Sequence, residues 1–385
     1  MNAGDLLQEL IRIPSVNPES SDGASSPAEL GEARIADHLT GLLSGLGAVT
    51  HLETPAASPG RPNLVAEFPS DVPGKPRILL GPHTDTVGVA GMTIDPFGGE
   101  LRDGRIWGRG ASDTKGTMAS MIAALARLGA KEIAKLSCEV HFVAFCAEET
   151  AQHGSRDFAR RHAGEYRFAL VGEPTNCKVV HVHKGCTWAT LSVPGKAVHG
   201  SIPEQGINAI TRMGRLLHAI DHEFRSELAD AGGVHPDLGE STINIGTIGG
   251  GSRTNIVPDL CSVTLDLRTT PHLEKCSGGY DLLRAFVKRH DVDAELEIIG
   301  DPAPCLDTPS DDPFVVALGA AGEGLTGAPW FCDAARLANE GAIPSVAAGP
   351  GSIEQAHTSD EFLCVSDLEE GVDFYEAFLR SLPSL

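Results

Sequence analysis

RILLGPHTDTV (residues 77–87) is the stretch that decides how this chain folds. Its first half is an apolar run of strand length closed by Gly81 and Pro82, and His83 and Asp85 stand immediately beyond it. The same pattern recurs downstream. EVHFVAFCA (139–147) runs into Glu148 and Glu149, FALVG (168–172) into Glu173, and IPSVAAGPG (343–351) towards His357. Between these runs lies TKGTMASMIAALARLG (114–129), with apolar residues three and four apart and Gly129 as a helix stop, preceded by Asp113. Strands alternating with helices predict an α/β fold, a mostly parallel mixed sheet with helices on both faces.

Charged groups at the ends of buried strands need something to offset their desolvation, and a cation does so. In doubly wound sheets ligands bind beyond the carboxyl ends of strands. Two histidines and several carboxylates gathered there suit a two-metal hydrolytic centre. Each residue alone has an ordinary explanation: His83 and Asp85 on a surface turn, Asp113 as a helix N-cap, Glu148 and Glu149 at an exposed strand end, and Glu173 and His357 in loops. Their joint occurrence at strand ends favours the metal reading.

Composition narrows the function classes. A chain of 385 residues exceeds one compact core, so two domains are expected. The formal charge of −22 argues against nucleic acid or an anionic membrane surface and fits enrichment of a cationic substrate. Nine scattered cysteines with no C-x-x-C pair predict free thiols in a reducing compartment. Without a signal-like N-terminus or an apolar run of membrane-spanning length, a cytoplasmic location is expected.

The texture changes near residue 185. CTWATLSVPG (186–195) reads as a strand, NAITRMGRLLHAIDHEF (208–224) as a helix, and STINIGTIGGG (241–251) and LCSVTLDLR (260–268) as strands. YDLLRAFVKRH (280–290) is a helical pattern and AELEIIG (294–300) a strand. The order β-α-β-β-α-β is that of a ferredoxin-like α+β domain. The expected organisation is therefore a main domain of 1–184 and 299–385, interrupted by an inserted domain of 185–298.

With these motifs in place, the chain resembles the M20 zinc-dependent peptidases and deacylases along nearly its full length. The resemblance rests on GPHTDTV (81–87), GRGASDTKG (108–116), FCAEET (145–150), VGEPT (171–175), HKG (183–185), GKAVHGSIPEQGINAI (195–210), NIVPD (255–259), DLR (266–268) and GPGSIEQAHTSDEF (349–362). It implies two divalent metal ions, zinc with cobalt as an alternative. Asp113 would bridge them, His83 and Glu173 would complete one shell, and Glu149 and His357 the other. Glu148 would be the general base and Asp85 would orient His83. The inserted domain would be a lid and dimerisation domain, giving a homodimer, and His199 would help hold the oxyanion; read from the residues alone, His199 is an exposed loop histidine.

Within the family the chain is most similar to the acetylornithine deacetylase and succinyl-diaminopimelate desuccinylase branch. The first expectation is hydrolysis of N-acetyl-L-ornithine to ornithine and acetate, a step of arginine biosynthesis. Desuccinylases carry an arginine two residues after an aspartate where this chain reads Asp333-Ala334-Ala335-Arg336, with the arginine displaced by one. Arg336 therefore stays a candidate substrate contact. Arg268, Arg253 and Asn255 are candidates too, against a structural salt bridge, a solvated loop residue and a turn residue respectively. WFCDAARLANEG (330–341), read as a strand and loop, departs from the deacetylase pattern, so other N-acyl amino acids and short peptides stay open. Outside catalysis, the alternative is an inactive binding homologue.

Overall fold

The computed structural model describes residues 1–20 and 23–384; Ser21, Asp22 and Leu385 lie outside it. The chain forms two compact units. The first comprises 1–181, 308–326 and the segment from Cys332 onward, and the second 182–307 with 327–331. The second unit thus runs past residue 298, because its last long strand extends to Ala303.

The elements run in order from α1 (Ala3–Ile11) and α2 (Ala33–Gly45) to β1 (Val49–Glu53), β2 (Asn63–Glu67) and β3 (Arg77–Pro82). Short strands β4 (Glu100–Arg102) and β5 (Arg105–Trp107) precede α3 (Lys115–Ile133). Then follow β6 (Glu139–Ala144), α4 (His153–Arg161), β7 (Phe168–Gly172) and β8 (Val179–His183). The second unit supplies β9 (Gly185–Pro194), α5 (Ala209–Ala219), α6 (Arg225–Gly232), β10 (Thr242–Gly250) and β11 (Leu260–Thr269). It continues with α7 (Pro271–Cys276), α8 (Gly279–His290), β12 (Glu295–Ala303) and β13 (Leu306–Asp307). The chain ends with α9 (Pro313–Ala321), β14 (Leu325–Ala328), α10 (Asp333–Gly341), β15 (Ser345–Ala347), β16 (Phe362–Cys364) and α11 (Val365–Arg380).

In the first unit the sheet order is β1-β2-β6-β3-β7-β15-β8. Its centre, β6-β3-β7-β15, is parallel, with antiparallel strands on either flank. The mixed α/β sheet expected from the sequence is therefore present. The central strands are apolar on both faces: every residue of β7 is buried, as are Val140 to Ala144 of β6, as befits strands covered by helices on both sides. The long helix α3 supplies Met118, Met121, Ile122 and Leu125 to the core, and α11 adds Leu368, Phe374 and Phe378. As expected, Gly129 interrupts α3 at φ 72°, a conformation glycine adopts without steric cost; one further turn follows it. Phe168 of β7 stacks on Phe314 of α9 with ring centroids 4.9 Å apart.

The second unit pairs its strands as β10-β11-β9-β12, all antiparallel, with α5, α6 and α8 packed on that sheet through Met213, Leu216, Leu228 and Phe286. This is the strand order of a β-α-β-β-α-β sandwich. Two helices departed from expectation. The 330–341 segment, read as strand and loop, forms α10, and α4 arises in a stretch with no apolar periodicity. All nine cysteines are free, and no described helix is long and apolar enough to cross a membrane.

Truncating Phe168 tests this packing. Phe168→Ala should cost about 3–5 kcal/mol, from lost burial plus the cavity left behind. The expected readout is a lower urea midpoint for the first unit's transition; a shift of under about 1 kcal/mol would show that the ring does not anchor β7.

Candidate metal centre and active site

Parallel strands end at a common edge, so β3, β6 and β7 deliver their following residues to one place. Pairing of Gly81 with Val171, and a hydrogen bond from the Phe145 N–H to the Pro82 carbonyl (2.9 Å), set these ends level. His83 follows β3, Glu148 and Glu149 follow β6, and Glu173 follows β7. Asp113 lies just before α3, whose positive N-terminal end favours a carboxylate. His357 reaches the same edge from the loop after β15.

Several of these side chains converge. His83 Nε2 lies 3.1 Å from Asp113 Oδ1. His357 Nε2 lies 3.3 Å from the other oxygen, Asp113 Oδ2, and 3.0 Å from Glu149 Oε2. Two donor groups result, His83 with Asp113 and Glu173, and Asp113 with Glu149 and His357; within each, one ligand atom per residue lies within 4.8 Å of the others. Asp113 is common to both. Glu149 Oε1 and Glu173 Oε1 are buried without any hydrogen-bond partner. A buried carboxylate oxygen without a partner is costly, and a cation would satisfy it. Imidazole and carboxylate donors suit zinc and similar divalent ions, so the residues fit the metals the sequence implied.

The electrostatics follow from this crowding. Burial would lower the His83 pKa, but hydrogen bonds to Asp113 and Asp85 prevail and hold it well above the usual imidazole value. His357 is raised to about 10 by its contacts with Asp113 and Glu149. Burial would raise Asp113, yet the two histidines keep it well below the ordinary carboxylate range. Burial and the Asp113 charge push Glu149 up to about 7, and they raise Glu173 well above its usual value. Glu148 is also strongly raised, first by burial and then, against the pull of His83, by Asp333, Glu173 and Glu149.

Asp85 meets His83 through two groups: its backbone carbonyl accepts from Nδ1 at 2.9 Å, and its carboxylate stands 3.5 Å from the same nitrogen. The bond to the carbonyl fixes the ring so that Nε2 faces Asp113. The carboxylate itself accepts the backbone N–H of Glu148 (3.0 Å) and of Glu149 (3.1 Å), together with Asn17 Nδ2 (2.8 Å). Asp85 thus braces the segment carrying both glutamates.

Several residues that position the site were missed. Glu361, fully buried, accepts Arg109 Nη1 (2.8 Å) and the backbone N–H groups of Gly110, Ser112 and Asp113. Glu32 pairs with Arg61 at 2.7 Å and accepts the Ala147 N–H at 3.0 Å. Ala147 sits at φ 60°, so this anchor stabilises a strained turn directly before Glu148. Close packing continues at Gly154, where a Cβ would lie 2.3 Å from the Cys146 carbonyl oxygen. A charged residue at the start of a helix or inside a loop carries no periodicity, so only the fold reveals these anchors.

The expected substrate contacts are less uniform. Arg336 is buried; its Nε donates to Gln152 Oε1 (3.0 Å) and its Nη1 to Glu340 (3.1 Å). In the second unit Arg268 forms a two-pronged pair with Asp266 (2.8 and 3.1 Å) and lies over Phe331. Its salt-bridge reading therefore holds. Arg253 is exposed and lines a cavity of about 570 Å³ with Gly200, Asn208 and Thr254. Asn255 and His199 are exposed, with His199 Nδ1 2.7 Å from Ser201 Oγ.

Comparison with known proteins agrees with this geometry. A protein named acetylornithine deacetylase from Edwardsiella ictaluri is 31% identical over 93% of this chain and 92% of its own. Another of that name, from Vibrio campbellii, is 29% identical over 92% and 93%. Among solved structures, aminopeptidase PepT from Bacillus cereus superposes with a TM-score of 0.79 at 22% identity, covering 99% of this chain and 98% of its own. A dinuclear metal-binding M20 peptidase from Bacillus subtilis superposes at 0.70 and 16%, covering 98% and 96%. The sequence profile of peptidase family M20/M25/M40 matches residues 79–381, and the chain belongs to that family, as a metal-dependent hydrolase of amide bonds.

Proposed function

We propose that this enzyme removes the acyl group from an N-acyl amino acid, with N-acetyl-L-ornithine as the first substrate. The observation that carries the reading is the pair of donor groups sharing Asp113, with Glu148 next in sequence to the ligand Glu149. Support for the substrate comes from the curated relatives named acetylornithine deacetylase, 28–31% identical along most of the chain. The charge of −22 also suits a substrate with a cationic side chain.

His83 and Glu173 would hold one cation, Glu149 and His357 the second, and Asp113 both; zinc and cobalt fit these donors. Bound there, the ions supply Lewis acidity, making a water easier to deprotonate and polarising the acyl carbonyl. Glu148 takes a proton from the attacking water and returns it to the nitrogen of the leaving amine, which is otherwise a poor leaving group. The Asp85 carboxylate keeps the Glu148 backbone in register by accepting its N–H. His199 serves as the oxyanion donor by family resemblance, and the inserted unit as lid and dimer contact. Of the candidate clamps for the substrate carboxylate, Arg253 is exposed, whereas the Arg268 guanidinium is engaged by Asp266.

Three outcomes test the reading. Zinc- or cobalt-loaded enzyme offered a panel of N-acyl amino acids should prefer acetylornithine; a strong preference for succinyl-diaminopimelate would overturn the substrate. Glu148→Ala should retain both metals by elemental analysis yet lose roughly 10²–10⁴-fold in kcat, so near-normal turnover would remove Glu148 from its role. Metal loading should release protons. Before loading His357 is near 10, Glu149 near 7, and His83 and Glu173 stand well above their usual values; each must shed its proton to become a ligand, so apparent affinity rises with pH between 7 and 9, about tenfold per unit for each ligand still protonated. Calorimetry in buffers of different ionisation enthalpy counts those protons, and a pH-independent affinity would contradict the ligand set.

A further inference from the structure

We propose that Gln152 is a positioning residue that fixes which oxygen of Glu148 handles the proton, and that Arg336 locks Gln152 in the orientation required. The inference rests on the role given to Glu148 above.

Gln152 is 1% exposed and stands at the N-terminal end of α4 with φ 54°, a left-handed conformation unusual for a residue with a side chain. Its backbone N–H donates to the Ala147 carbonyl at 2.7 Å, closing the turn that carries Glu148 and Glu149. Its side chain turns back onto that same turn, with Nε2 3.3 Å from Glu148 Oε1. An amide side chain can face either way, and its neighbours decide which. Here the decision is unambiguous, because Arg336 Nε lies 3.0 Å from Gln152 Oε1 and a guanidinium only donates. The Gln152 oxygen must face Arg336, so the NH₂ group must face Glu148.

Arg336 is itself held in place. Its Nη1 donates to Glu340 Oε1 at 3.1 Å, and Glu340 Oε2 accepts Arg156 Nε at 3.2 Å and Arg160 Nε at 2.8 Å from α4. The chain Glu340–Arg336–Gln152–Glu148 therefore links the α4–α10 contact to the catalytic carboxylate.

The chemical consequence concerns a single proton. Oε1 of Glu148 already faces an N–H donor, so a proton placed on it would meet that donor head on. The proton taken from water therefore resides on Oε2, and from Oε2 it passes to the nitrogen of the departing amine. The same hydrogen bond limits rotation of the carboxylate, which keeps Oε2 directed at the reacting atoms instead of sharing the work between two oxygens.

Gln152→Glu tests this with little change of shape. Glutamate fills the same space and still accepts from Arg336, but offers no N–H to Glu148. On the substrate that wild type hydrolyses best, kcat should fall by about ten- to a hundredfold, the effect of losing one hydrogen bond to a charged group. KM should stay within about twofold, with metal content and melting temperature close to wild type. Gln152→Met, which also lacks the donor, should behave alike and guards against misfolding of the first variant. Arg336→Met should lower kcat in the same direction, Arg336→Lys should restore part of it, and adding Arg336→Met to Gln152→Met should cost little more. Wild-type kcat in Gln152→Glu, or a loss confined to KM, would overturn the proposal. Wild-type enzyme inactive on every N-acyl amino acid would instead overturn the functional reading, and the role of Gln152 with it.

Discussion

Negative charge buried at one sheet edge is the constraint around which this structure is arranged. Asp85, Asp113, Glu148, Glu149, Glu173 and Asp333 meet there with few cationic side chains among them. Burying even one isolated carboxylate is costly, so the cluster persists only with protons or cations to neutralise it. Without metal the histidines and raised glutamates supply the protons; with metal, the same donors are vacated for the ions. The unpartnered oxygens of Glu149 and Glu173 mark where proton binding alone fails to satisfy the site.

A second tier of buried acids does different work. Glu361 and Glu32 belong to neither donor group, yet Glu361 accepts three backbone N–H groups and Glu32 one from a loop that carries a site residue. Asp85 does the same for Glu148 and Glu149. Arg109 and Arg61 neutralise two of these anchors, so the Asp113 and Glu148 loops are held by buried ion pairs. Such loops tolerate left-handed residues such as Ala147 because the anchors over-determine them. Rigidity of this kind keeps reacting groups within the narrow geometry that catalysis demands.

Much of this was legible in the sequence. An apolar run broken abruptly by an acid or histidine reports a buried strand and a functional residue together, and His83, Glu148 and Glu173 were readable on that ground. What escaped reading depends on partners far away in the chain. α4 and α10 have nine residues each, and helices so short are stabilised by packing against each other more than by propensity. The part played by the Asp85 backbone carbonyl, which accepts from His83 Nδ1, had no signal in the sequence because every residue possesses that group. Glu32, Arg61 and Glu361 carry no pattern at all, since a loop charge reads as solvated until the fold buries it.

The helical state of α10 also changes what a one-residue displacement means. In a loop, an arginine shifted by one position can still swing towards a substrate carboxylate. On a helix, neighbouring residues diverge by roughly 100° about the axis, so Ala335 and Arg336 face different surroundings. Arg336 accordingly points into the contact with α4, where Gln152 and Glu340 engage its guanidinium. At the position where desuccinylases carry their arginine this chain has buried Ala335, which offers no charge to a second carboxylate. Ala335 is compatible with the proposed substrate, which carries one carboxylate and a small acyl group.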